Sequence, residues 1–182
     1  MNQTGCNATV VKAAVLKPIF LLFVMLLGSA FAQTGGEGSS EPVSVSVEAF
    51  VVSEVTGEDG NVQEQFSAAS TARPGQVVEY RLSVNNQENT TLPAGTVVVT
   101  GPVPESTRYA PDSATPSSER VLTEFTADGE TYGEPPVTGS GEGTGGSEEI
   151  VAPSDYAAVR WTLLTPMEPA QEEVFTYRVV VE

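Results

Sequence analysis

Histidine is absent, lysine occurs only at Lys12 and Lys17, and Cys6 is the single cysteine. From Pro18 onward the chain therefore offers no imidazole, thiol or amine. Ser-His-Asp, Cys-His and Ser-Lys nucleophilic arrangements cannot be assembled from what remains. Zinc and copper lose their usual ligands for the same reason. A phosphate loop of the GxxxxGK[ST] form is also missing. The only catalytic device left is a carboxylate pair, as in glycoside hydrolysis. With 24 acidic residues, some pair falls at a suitable spacing by chance. The sequence is read as that of a non-enzymatic protein.

Long apolar runs are scarce. The longest, Ile19–Leu27, is far shorter than the roughly 20 residues a bilayer-spanning helix needs. It follows the two lysines and precedes Ala30-Phe31-Ala32. A basic start, a short apolar middle and a small-x-small end make a secretory signal peptide, predicted over 1–32 with cleavage before Gln33. The competing reading, an uncleaved anchor, requires the run to extend through Gly28 to Ala32. Cleavage would remove Cys6, leaving residues 33–182 without a thiol or a disulfide. Export would permit disulfides, so stability has to come from an apolar core.

Positive charge is scarce too. Beyond Gln33 there are 24 acidic residues against six arginines. Such a surface repels phosphate backbones and anionic headgroups, which excludes nucleic acid as a partner. It keeps the chain soluble, and it could gather divalent cations or a basic partner.

What is present is alternation. TGGEGSSE, Thr34–Glu41, reads as part of a flexible spacer over 33–41. From Pro42, VSVSVEAFVV sets Val43, Val45, Val47, Ala49 and Val51 on one side of a strand. GEDGN, Gly57–Asn61, predicts a turn and VQEQFSA a returning strand. Val78, Tyr80, Leu82 and Val84 alternate with Glu79, Arg81 and Ser83, which are predicted to face water. Further strands are predicted at Thr96–Pro104, Arg120–Phe125, around Val159, Trp161 and Leu163, and at Phe175–Val181. Pro135–Gly146 is read as loop. No sustained helical period follows Gln33. Many short strands punctuated by Gly and Pro predict an all-β antiparallel sandwich over 42–182.

Two acidic turns hold the residues that could ligate calcium, the one cofactor the composition leaves open. They are Asp59 in EDGN and Asp128 and Glu130 in DGE. Neither follows a spaced calcium loop, and both are ordinary hairpin chemistry. Tyr109, Tyr132 and Tyr156 lie in irregular segments and are the candidates for an exposed glycan contact.

RPGQVVEYRLSVNNQ, TVVVTGPVPESTRYAPDSAT and AVRWTLLTPMEPAQEEVFTYRVVV occur in that order. Together they resemble an immunoglobulin-like conserved repeat domain of unknown function found in bacterial surface proteins. The resemblance covers Val43–Glu182. It implies an immunoglobulin-like antiparallel β-sandwich with Pro74, Gly75, Tyr80, Asn85 and Trp161 as structural positions. Pro169-Ala170-Gln171 stands where the family has a glycine-bearing closing turn. A single copy, with the segment carrying Asp128–Tyr132, looks like a short exported branch of the family. What it implies is an accessory or structural subunit of a larger envelope assembly, S-layer or outer-membrane, acting through protein–protein contacts. The alternative is a calcium- or glycan-binding extracellular module. Val43–Val52, and in it Val43, Val45 and Val47, is the strand expected to pair with a partner.

Overall fold

A computed structural model describes residues 43–140 and 148–182. The predicted signal peptide 1–32 and spacer 33–41 lie outside the described residues, as does the tip of the Gly/Ser-rich segment at 141–147. Among the described residues the structure is all-β. Ten strands form: β1 Val43–Thr56, β2 Val62–Ala68, β3 Val77–Asn86, β4 Val98–Pro102 and β5 Thr107–Tyr109. They continue as β6 Val121–Thr126, β7 Thr138–Ser140, β8 Glu148–Ile150, β9 Ala158–Leu163 and β10 Glu172–Val181. A short 3-10 turn, Pro153–Asp155, precedes β9. Among the described residues no helix is long and apolar enough to cross a membrane.

Every pairing is antiparallel. One sheet has the order β2-β1-β3-β10-β5 and the other β4-β9-β6, with β7-β8 as a separate hairpin. The two sheets meet over one core. The alternation that marked the strands supplies it: Val78, Leu82 and Val84 from β3, Val99 from β4, Val159, Trp161 and Leu163 from β9, and Phe175, Tyr177 and Val179 from β10. The Trp161 ring stacks on Phe175 of the facing sheet at 5.3 Å and meets Tyr177 at 6.0 Å. Its indole N–H donates to the Thr115 carbonyl at 3.1 Å, so the buried ring carries no orphan donor. Gly101 lets β4 lie close to this cluster. A Cβ there would stand 2.6 Å from Tyr177 Cε1, and the Tyr177 hydroxyl donates to the Pro102 carbonyl at 2.6 Å.

β3 pairs with β10 while β4 pairs with β9, so the chain is a long hairpin folded over on itself. Both crossings between sheets, residues 87–97 and 164–171, therefore lie together, bridged by Leu92 and Met167. Asn86 ties them. Its amide Nδ2 donates to the carbonyls of Thr90, Met167 and Glu168, and its Oδ1 accepts the Glu88 N–H. Its backbone bonds Gln171 and Ala170. The side chain is wholly buried, whereas Asn85 is half-exposed. The structural asparagine is thus Asn86, not the expected Asn85. The alternation from Val78 through Val84 already aims residue 86 inward. Ala170 sits at φ 59° in this corner, a left-handed conformation normally left to glycine.

Two other expectations change. Pro135–Gly146 is not all loop, because Val137 is buried and accepts a backbone bond from Val151, which seats the β7-β8 hairpin. Glu79 does not face water; it is 6% exposed.

Candidate functional site

Glu79 is buried because the β1-β2 ribbon curls over the outer face of the larger sheet. Arg178 of β10 reaches across to β2, where its two terminal nitrogens donate to the two Glu64 oxygens, each at 2.7 Å. Arg178 Nε donates to Glu79 Oε2 and Arg81 Nε to Glu79 Oε1, both at 2.8 Å. The Arg81 guanidinium lies over the Phe50 ring at 4.6 Å and the Phe66 ring at 4.7 Å. The pairing with Arg178 holds the Glu64 carboxyl below its ordinary value, and its glutamate partners raise Arg178. Glu79 is the one buried charged side chain among the described residues, and both its oxygens are taken by arginines. Its charge is balanced by these two arginines. A groove of about 490 Å³ is lined by Val77, Asp112, Ser113 and Thr176 together with Glu79 and Arg178, which pair with each other.

The acidic turns are built as turns. Asp59 accepts the Asn61 N–H at 3.1 Å and its side-chain amide at 2.6 Å, which closes the β1-β2 hairpin with Gly60 at φ 79°. Asp128 Oδ1 accepts the Thr126 hydroxyl and the N–H groups of Glu130 and Thr131, each at 2.8 Å. Those donors favour the ionised form and lower its pKa to about 2. Asp59 is lowered likewise by Asn61. Glu130 is exposed in the same turn as Asp128, and it enters that network through its backbone N–H. Asp59 caps a ribbon of the first sheet and Asp128 follows β6 of the second. Among the described residues no three acidic side chains come together in a metal-holding group.

The loop tyrosines divide. Tyr109 and Tyr156, expected to be exposed, are buried at 2% and 4% and stack at 5.9 Å with Phe125 against both. Tyr109 lies on β5 and Tyr156 follows the 3-10 turn. Both segments are too short for period-two alternation to reveal their inward phase. Tyr132 remains half-exposed, its ring under the Arg160 guanidinium at 4.0 Å.

β1 is an inner strand of its sheet whose pairing is incomplete. It pairs with β3 over Val43–Val52, but with β2 only over Phe50–Thr56. Of the strand expected to meet a partner, Val43–Val52, only Phe50–Val52 is thus paired on both sides, and Val43, Val45 and Val47 fall in the part that β2 does not reach. Their side chains pack on the core while staying half-exposed. Comparison of the chain with protein-family models, curated proteins and solved structures finds no match.

Proposed function

We propose that the chain is a non-enzymatic exported cell-envelope protein, an accessory or structural subunit of a larger surface complex of the S-layer or outer-membrane kind. The observation that carries this reading is where the polar chemistry goes. Glu79, Asp59 and Asp128 are occupied in holding the fold, while Val43–Glu48 of β1 packs on the core with no strand beside it on the flank that β2 takes farther along. A surface of this kind works by shape and backbone pairing rather than by reacting.

The domain is immunoglobulin-like in architecture. Lettering β1, β3, β4, β5, β6, β9 and β10 as A to G gives sheets A-B-G-D and C-F-E, with β2 added outside A. An immunoglobulin constant domain has A-B-E-D and C-F-G. The division into four and three strands supports the kinship, and the exchange of E and G is this chain's departure from it. The pattern of residues 1–32 supports export.

Fractionation of the producing cells, with N-terminal sequencing of the recovered chain, tests the reading. The expected result is a chain beginning at Gln33 and held in the envelope fraction. An intact chain beginning at Met1 in the cytosol overturns it.

A further inference from the structure

Over Val43–Glu48, β1 has a neighbouring strand on one side only, β3. β2 runs beside Thr56 back to Phe50 and then departs at Ala69, whose N–H donates to the Ala49 carbonyl at 2.8 Å. From there the chain doubles back. The Gly75 N–H donates to the Val181 carbonyl, near the end of the sheet where Val52, Val77 and Val180 pair and far along β1 from Val43. The Ala69–Ala49 bond also fixes direction. Backbone groups alternate sides along a strand, so Val43, Val45 and Val47 aim their N–H and C=O groups at the flank β2 leaves free. The same three residues turn their side chains to the core and stay half-exposed there, whereas their neighbours on β3, Leu82 and Val84, are closed off at 1% and 0%. One added strand would remedy both deficits. Its backbone would take up the free ladder, and its inward side chains would cover the valines.

Charge selects the occupant. Five of the six arginines, Arg81, Arg108, Arg120, Arg160 and Arg178, are already paired with glutamates of this chain. Glu48 projects from the outer face of the free half-strand, and Glu172 lies two strands across at the end where β1 begins, beside the Glu173 that Arg120 already pairs. A second copy would bring the same excess of acid to the contact and be repelled. Resting on the reading of the chain as an envelope subunit, we propose that Val43–Glu48 is an acceptor edge for an extended segment of another protein. In that segment apolar residues facing the core alternate with Lys or Arg facing outward.

The test uses the full chain purified from its own cells. It is applied to immobilised peptides in which valine alternates with lysine, with glutamate or with serine. Binding is expected to the valine–lysine peptides alone and to weaken as salt is raised. Val45→Pro removes an N–H aimed at the free flank, a position where an edge strand accepts proline, and should weaken binding roughly tenfold or more. The near-UV circular dichroism of Trp161 should not change in that variant. Glu48→Lys leaves the backbone alone and should shift preference toward the valine–glutamate peptides, so it decides the matter if Val45→Pro does not fold. Equal binding to all three series, or binding that ignores both variants, overturns the proposal. So does a dimer in sedimentation that Val45→Pro splits, because the occupant is then a second copy. A chain found in the envelope that binds no peptide sinks the edge alone; a cytosolic chain sinks the wider reading.

Discussion

The two halves of β1 are the instructive contrast. Val43–Ala49 has side chains packed on the core and one flank of its backbone open. Phe50–Val52 has both flanks paired, and Ser53–Thr56 continues beside β2 alone with its side chains exposed, Val55 at 46%. Hydrogen-bond pairing and apolar burial therefore separate within a single strand. The first half is held by the core beneath it. The second is held by its partner strand and by the Arg178–Glu64–Glu79–Arg81 lattice with Phe50 and Phe66 above it.

That contrast can be broken most severely at Asn86, which pairs with Val43 and ties the end of the sheet where the first half lies. Asn86→Ala strands the carbonyls of Thr90, Met167 and Glu168 and should cost about 3 kcal/mol in urea unfolding. Asn86→Asp should cost more, since a carboxylate there faces acceptors. An effect below about 1 kcal/mol would show the corner to be held by its backbone bonds alone.

A milder pair of variants measures the contrast directly. Val47→Ala removes methyls packed against the core and should cost about 1 kcal/mol. Val55→Ala, in the exposed half, should stay within about 0.5 kcal/mol. Equal costs would mean that the ribbon is packed as firmly as the core strands.

The smallest effect is that of acid on the ribbon. Arg178 lowers the folded-state pKa of Glu64 below its ordinary 4.5, so the stabilisation this pair adds is complete above pH 4.5. It fades as pH falls below that value toward the lowered one, because the unfolded chain takes up the proton first. The Phe66 ring resonances should shift in that window while those of Trp161 stay in place. Simultaneous movement of both would place the lattice and the core in one cooperative unit.

Much of this was legible in the chain. The inward phases of β3, β9 and β10 follow from period two, and Trp161, Phe175 and Tyr177 are buried where alternation put them. The turn roles of Gly60 and Gly129 follow from Asp-Gly chemistry, and both have φ 79°. Less legible were segments too short to show a period, so Tyr109 and Tyr156 were misplaced to the surface. The burial of Glu79 was hidden for another reason. Its neighbours Glu64 and Arg178 are distant in sequence, and only the curl of the ribbon brings them over it.

By itself, then, the sequence determined the longer strands, their inner faces and the lack of histidine chemistry, because each of these is set by residue type and by near neighbours along the chain. The tertiary structure decided which strands adjoin, that β10 lies beside β3, that Asn86 rather than Asn85 ties the corner, and that β2 flanks β1 only from Phe50 onward. Those outcomes depend on how one segment covers another, and alternation within a strand carries no information about the neighbour across it.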